Sequence, residues 1–209
     1  MAQAAPKYES QTDEALFDRY RRGDTGALKT IIERYQDELY RFLCRLIGDR
    51  TGAEDVFQDT FLQIHLSAET FDAERRFRPW LFTIAANKGR DFLRRKMRRR
   101  TLDLSAPIGG KGNDDGGMTY VDLLEIDIPA PDAAMDSKER GERVQLVLNQ
   151  MPLLLREILL LAYFQRLSYA QISSDLEIPL GTVKSRLHAA VASFAKGWKQ
   201  AGLDKVYPS

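Results

Sequence analysis

The sequence has few of the residues that covalent or metal chemistry requires. Its 209 residues include one cysteine, Cys44, and two histidines, His65 and His188. A single cysteine excludes an internal disulfide, and a reduced, cytoplasmic setting is the natural one for such a chain. The histidines are far apart in sequence and have no cysteine or carboxylate cluster at metal-ligand spacing. We therefore expect neither a metal site nor a cofactor.

Other absences narrow the class of protein further. The longest run of aliphatic and aromatic residues, Ile158–Phe164, is far too short to span a bilayer, and the first ten residues lack the pattern of a secretory signal. There is no glycine-rich phosphate loop and no pairing of a nucleophile with a base, so we predict no catalytic residues and no enzyme. The alternating pattern of strands is missing as well, which favours a soluble all-α protein without membrane insertion.

Charge is strongly segregated along the chain, although the net charge is only +1. Residues 86–100 contain eight basic side chains and one acidic side chain, whereas residues 101–142 contain three basic and ten acidic side chains. Such asymmetry indicates a nucleic-acid-binding surface next to an acidic segment.

The distribution of glycine, proline and apolar residues divides the chain. We predict tails at residues 1–10 and 204–209, and helical domains at residues 11–100 and 141–203. Between the domains, residues 101–140 are too rich in glycine and proline for long regular structure. The expected architecture is therefore two helical domains joined by a flexible acidic linker.

The second domain contains the pattern of a helix-turn-helix. Ser168 followed by Gln171 is a capping box, so a helix begins there, and Pro179 separates it from a second helix. The spacing predicts a buried face on the first helix, formed by Tyr169, Ile172 and Leu176. The second helix would present its first turns to the DNA major groove. The exposed polar residues of those turns are Lys184, Ser185, Arg186 and His188. An ordinary helical hairpin is the alternative.

The first domain ends in a helix predicted from about Pro79 to about Arg98. One face of it combines an aromatic ring, an amide and arginines: Trp80, Ile84, Asn87, Asp91, Arg94 and Arg98. Stacking, base-edge hydrogen bonds and phosphate neutralisation are what single-stranded nucleic acid requires. The alternative is that Trp80 packs beneath the preceding loop, Thr70–Pro79, and that Asn87 braces this loop.

Three stretches resemble one family of bacterial proteins. Asp49–Ile64 and Phe77–Arg99 resemble region 2 of sigma factors, most closely the extracytoplasmic-function (ECF) group, and Met151–Leu187 resembles region 4 of that group. The resemblance implies a protein that binds core RNA polymerase and directs it to promoters. It implies binding to duplex DNA and to the melted single strand, and it suggests an anti-sigma factor as a further partner.

The resemblance also assigns roles to individual residues. Those that match the polymerase-docking segment are Asp55, Gln58, Asp59 and Phe61. The part of region 2 that recognises and opens the minus-ten element is matched by the Thr70–Pro79 loop, which includes Phe71, and by Trp80, Asn87 and Asp91. Those that would hold phosphates are Lys88, Arg94, Arg95 and Arg98. The residues that match the segment recognising the minus-thirty-five element are Lys184, Ser185 and His188. Arg186 matches a position near the DNA backbone.

Two features leave alternatives open. Ala189, Ala190 and Ala192 occupy positions where the family often has arginines, so we expect few phosphate contacts there. The resemblance implies that the acidic linker threads the polymerase channel that RNA later occupies, and the alternative is a solvated spacer. The competing function is a helix-turn-helix regulator that does not bind polymerase, but such a protein needs no second nucleic-acid surface.

Overall fold

The computed structural model describes Tyr8 and residues 10–72, 74–103 and 137–201, without the side chains of 100–103 and 137–140. Within these ranges the chain forms helices and no strand, so the predicted all-α class is confirmed. The predicted acidic linker falls largely on residues 104–136, outside the described part, as do most residues of both predicted tails. The α-helices are α1 (Asp13–Arg21), α2 (Thr25–Ile47), α3 (Arg50–Leu66), α4 (Phe77–Asp103), α5 (Ser137–Gln150), α6 (Leu153–Leu159), α7 (Tyr169–Leu176) and α8 (Leu180–Gln200).

The four N-terminal helices pack around an aromatic core. The rings of Phe17 and Phe77 are 5.0 Å apart, and those of Phe42 and Phe82 are 5.4 Å apart. All four side chains are fully buried, because α1, α2 and α4 each turn an apolar stripe towards the same space. This core holds α4 against α2 and α3.

The break between α2 and α3 lies within Gly48–Gly52, where the sequence predicts a break followed by a helix near Ala53–Ser67. Gly48 adopts a left-handed conformation with φ of 85°, which ends α2. The Asp49 side chain then accepts a hydrogen bond of 2.6 Å from the Gly52 amide and begins α3. This cap makes α3 begin at Arg50, three residues before the predicted Ala53.

Helix α4 is longer than predicted and begins at Phe77 rather than Pro79. The Phe77 amide donates a hydrogen bond of 3.1 Å to Glu14 Oε1 on α1, so a distant side chain satisfies the first turn. Its buried side includes Gly89, where an added Cβ would lie 2.7 Å from Leu46 Cδ2. Glycine at this position lets α4 approach α2 closely.

The C-terminal helices contain the predicted helix-turn-helix. Ser168 and Gln171 form both hydrogen bonds of the capping box at the start of α7, which confirms that prediction. Glu177 ends α7 with φ of 55°, and Pro179 precedes α8. Ile172 is fully buried, but Tyr169 is 39% exposed, so its predicted place on the buried face is wrong.

The segment between α6 and α7 has an irregular geometry. Residues Leu160–Phe164 form a π-helical turn, in which the Gln165 amide donates to the Leu160 carbonyl at 3.0 Å. This turn and helices α5–α7 contact α2 and α4, so the N-terminal and C-terminal helices touch. In the described part of the chain, no helix is long and apolar enough to cross a membrane.

Candidate nucleic-acid and polymerase interfaces

The predicted single-strand surface lies on α4 and begins at Trp80. This ring is half-buried, with its centre 4.5 Å from that of Phe71 and 5.5 Å from that of Phe17. Trp80 therefore packs against the loop that precedes α4, which agrees with the alternative prediction that it packs beneath this loop. Part of its side chain stays accessible.

Phe71, also predicted to contact DNA, is only 7% exposed. It packs edge-on against Phe17, with ring centres 5.1 Å apart, and lies in the aromatic cluster beneath Trp80. In this conformation Phe71 supports the loop from below, and its predicted contact with DNA would require the loop to open.

Asn87 is exposed about two helical turns beyond Trp80, and its side-chain oxygen accepts a hydrogen bond within the structure. The Arg90 guanidinium donates a short hydrogen bond to Asn87 Oδ1 and another of 3.0 Å to Glu157 Oε1 on α6. Asp91 and Arg94 are exposed on the same helix. The structure thus brings an accessible amide, a carboxylate and a guanidinium together next to a half-buried indole.

The other predicted phosphate-binding residues of α4 lie towards α3. Lys88 Nζ donates a hydrogen bond of 2.8 Å to Gln63 Oε1, and Arg95 lies 4.0 Å from an Asp59 oxygen. Arg95 and Arg98 are exposed, so both are accessible to an added anion. The basic end of α4 therefore adjoins the acidic side of α3.

The predicted polymerase face is on α3. Asp55 and Gln58 are exposed and Asp59 is half-buried, whereas Phe61 is 9% exposed and packs 5.1 Å from the Phe57 ring. A cleft of about 680 Å³ separates this face from α4 and is lined by Asp55, Gln58, Asp59, Phe92, Arg95, Lys96 and Arg99.

Two exposed leucines of α3 were not among the residues predicted from the sequence. Leu62 is 56% exposed and Leu66 is 67% exposed, four residues apart on the helix. Their spacing places them together, away from the buried Val56 and Ile64, and this offset is the signal that could have found them. They add an apolar patch beside the acids of α3.

The predicted duplex-reading residues lie at the start of α8. Lys184, Ser185 and His188 are exposed, and Arg186 is half-buried. Ser185 Oγ donates to the Thr182 carbonyl at 3.2 Å, so its hydroxyl oxygen remains available as an acceptor. The structure brings the four side chains onto one end of the helix.

Glu157 is the charged residue that sequence reasoning missed. It is only 3% exposed, and burial raises the pKa of its carboxyl to about 7 against the opposing effect of Arg90, Arg186 and Arg94. The available signal was a charged pair, Arg156 and Glu157, inside an otherwise apolar run. Buried charges of this kind pair with a specific partner, which here belongs to α4.

Comparisons with known proteins agree with this geometry. The sigma-70 region 2 family matches residues 31–99, and the sigma-70 region 4 family matches residues 141–193. The ECF RNA polymerase sigma factor SigW of Bacillus subtilis is 32% identical, over 80% of this chain and 87% of its own length. The ECF RNA polymerase sigma-E factor of Haemophilus influenzae is 30% identical, over 87% of this chain and 93% of its own.

Solved structures share the fold. CnrH, in its complex with the cytosolic domain of CnrY, has a TM-score of 0.61 at 22% identity and covers 89% of this chain and 96% of its own. The sigma factor RpoE of Bartonella quintana, in complex with the anti-sigma factor NepR, has a TM-score of 0.59 at 21% identity. The match covers 82% of this chain and 96% of the RpoE chain.

These findings define a transcription initiation factor with two helical sigma regions. The chain belongs to the ECF sigma factors of the sigma-70 family. It binds RNA polymerase and directs promoter-specific initiation, and it is not itself an enzyme. A helix-turn-helix regulator without polymerase binding does not account for the match to region 2.

Proposed function

We propose that this sigma factor uses three separate surfaces. Helix α3 binds core polymerase, and α4 with its preceding loop opens the minus-ten element. The start of α8 recognises the minus-thirty-five element. The observation that carries the proposal is the α4 surface, where Asn87, Asp91 and Arg94 are exposed beside the half-buried Trp80. One helix thus offers stacking, base-edge and phosphate contacts in sequence.

The polymerase role of α3 rests on complementarity to a basic partner. Asp55 and Gln58 are exposed, and the exposed Leu62 and Leu66 give the acids an apolar neighbour. Interfaces of this kind gain affinity from the buried apolar centre and speed of association from the charges around it. Phe61 contributes by packing behind this face, against Phe57.

The roles of α4 and α8 differ in the form of DNA that they meet. Arg94, Arg95 and Arg98 have no spacing for base reading and act on the phosphates, while Asn87 hydrogen-bonds an unstacked base. On α8, Lys184 and His188 reach base edges in the major groove. The alanines at 189, 190 and 192 add no phosphate contacts, so upstream binding relies on the first turns of α8.

A place of action and a further partner follow from the same role. We place the protein in the cytoplasm, where core polymerase and chromosomal DNA are accessible to it. CnrH and RpoE, which share this fold, were solved with CnrY and the anti-sigma factor NepR, respectively. We extend an anti-sigma partner to this chain.

The test is transcription by purified core polymerase with this protein, on promoters identified by mapping transcription starts after overexpression. Asn87→Ala and Trp80→Ala should impair permanganate reactivity of the melted region more than they impair polymerase binding. Normal melting by both variants would refute the α4 assignment.

The α3 assignment has its own variant pair. Asp55→Arg with Asp59→Arg should weaken co-purification with core polymerase across salt concentrations, because it inverts the charge of the docking face. Glu33→Arg, on the exposed side of α2, is the matched control and should bind like the wild type. Equal binding by the double variant and the control would show that this face is merely solvated.

A further inference from the structure

In the described part of the chain, two residues other than glycine have a left-handed backbone, and they stand on either side of α7. Arg166 has φ of 52° and Glu177 has φ of 55°. Each follows the end of a helix, where glycine is the usual residue because a Cβ crowds the next carbonyl oxygen. A long charged side chain that is kept at such a position, against this strain, indicates a role beyond the local fold.

The conformation of Arg166 is imposed by its two neighbours. Gln165 and Leu167 are both buried, and the Leu167 amide donates a hydrogen bond of 3.1 Å to the Leu161 carbonyl across the π-helical turn. The chain therefore reverses direction at Arg166, between two residues that are anchored in the protein. The side chain of Arg166 itself is exposed to solvent.

The charge of Arg166 is not used within the described structure. Arg75, Arg78 and Arg90 each pair with a residue of the C-terminal helices, namely Asp175, Gln165 and Glu157. The Arg166 guanidinium, by contrast, has no hydrogen bond or ion pair with any residue that the structure describes. Its five donors are therefore available to an external acceptor.

Two exposed tyrosines flank Arg166, three residues away on either side. Tyr163 is 42% exposed and Tyr169 is 39% exposed, and three residues of chain reach at most about 11 Å. Burial raises the pKa of the Tyr163 phenol, and Tyr169 adds to this effect, so the two rings lie near each other. A guanidinium and two phenol hydroxyls are groups that donate to phosphate oxygens.

This group of side chains lies where a helix-turn-helix meets the DNA backbone. When the start of α8 enters the major groove, the first helix of the motif, α7, crosses the phosphates. Arg166 and Tyr169 are at the N-terminal end of α7. The capping box already satisfies the Ser168 and Gln171 amides, so the side chains, rather than these amides, are available to the DNA.

We propose that Arg166, with the hydroxyl groups of Tyr163 and Tyr169, binds one or two phosphates of duplex DNA beside the element that α8 recognises. The contact adds affinity for any sequence, whereas Lys184 and His188 discriminate between sequences. It thus supplies phosphate binding that the alanines of α8 do not provide. This inference rests on the proposed function of α8, and it extends the DNA-binding surface to the turn before α7.

The test measures the affinity of the holoenzyme, core polymerase with the full chain, for a promoter duplex mapped for this protein. Arg166→Gly should lower the slope of log affinity against log salt by about 1, as expected for one phosphate contact. A contact of that slope which vanishes at about 1 M salt corresponds to a loss of about fivefold at 0.15 M. Arg166→Lys keeps the charge and should retain most of the affinity.

The matched control is Glu177→Gly, which removes the same kind of backbone strain at the other end of α7 without removing a cation. Both glycine variants should have a higher urea midpoint than the parent, because glycine adopts a positive φ without crowding. Only Arg166→Gly should bind DNA less tightly. A variant that is more stable and binds less tightly does not owe its defect to misfolding. A lower midpoint in both variants would overturn the argument from strain.

Neutral methylphosphonate groups, placed one at a time in the upstream duplex, locate the contact. The parent should lose affinity at one or two positions beside the minus-thirty-five element, and Arg166→Gly should be insensitive at the same positions. Tyr163→Phe and Tyr169→Phe remove only a hydroxyl group, and each should lose part of the parent's sensitivity there.

Each outcome decides a separate point. Equal affinity and salt dependence in Arg166→Gly and the parent, or unchanged methylphosphonate sensitivity, would overturn the phosphate contact. A changed sequence preference in Arg166→Gly would overturn its sequence-independent role. In either case, Lys184→Ala would still change the preferred upstream sequences. If the upstream element contributes nothing to binding by the parent holoenzyme, the proposed function of α8 is refuted, and the phosphate contact with it.

Discussion

Acidification should stabilise the folded protein through Glu157, which takes up a proton in its buried position. Burial raises the pKa of this carboxyl from its ordinary 4.5 to about 7, despite the cations that face it: Arg90 and Arg94 from α4, and Arg186 from α8. Unfolding exposes Glu157 and returns its pKa to the ordinary value. The folded form therefore binds more protons between pH 4.5 and 7.

The sign and the size follow from this difference. A raised carboxyl pKa contributes stability that is fully present below pH 4.5 and lost as the pH rises through 7. Lowering the pH from 8 to 6 should therefore raise the contribution of this group to the free energy of unfolding by about 1.4 kcal/mol, which is about a tenfold change in the ratio of folded to unfolded molecules.

The assay is urea unfolding at pH 8 and at pH 6, with the free energy of unfolding measured for the parent protein and for Glu157→Gln. The gain in this free energy at pH 6 should be about 1.4 kcal/mol larger in the parent protein, because Glu157→Gln cannot titrate at this position. A response that persists undiminished in Glu157→Gln, or one of opposite sign, would refute the reasoning.

Three further results are expected. Lys184→Ala should change which upstream sequences a randomised promoter selection recovers, whereas Arg95→Ala with Arg98→Ala should weaken all promoters together and flatten the salt dependence; the reverse pattern would mean that the surfaces are exchanged. Phe17→Ala should lower the free energy of unfolding by about 3–5 kcal/mol in urea titrations, against under about 0.5 for Leu62→Ala. Ser168→Ala should cost about 1 kcal/mol by removing the cap of α7, and no loss would contradict that role.

The sequence predicted best what short-range chemistry determines. The start of α7 depends on Ser168 and Gln171, three residues apart, and the end of α2 depends on Gly48. Such caps act through the backbone amides and carbonyls of their own turn, so the pattern alone is sufficient. The domain limits and the individual DNA and polymerase contacts stay predictions.

What the sequence did not predict depends on distant partners. The start of α4 at Phe77 depends on Glu14, and the burial of Phe71 depends on Phe17 and Trp80. The side chain of Glu157 has the charge of a solvated residue, and only its pairing with α4 reveals another role. Periodicity identifies which face of a helix is buried, but it does not identify the element that covers it.

The π-helical turn at Leu160–Phe164 makes the orientation of everything that follows depend on one surplus residue. Each residue of an α-helix advances the chain by about 100° around its axis. Deleting one residue here would close the wide turn into an ordinary one and rotate Gln165 by about that angle. The Gln165 carbonyl, which accepts a hydrogen bond of 2.6 Å from Arg78 of α4, would then point away from that guanidinium. The helix-turn-helix would keep its internal geometry but face another direction. The loss of one amino acid at this turn would therefore mainly rotate the helices that follow, and would shorten the chain only slightly.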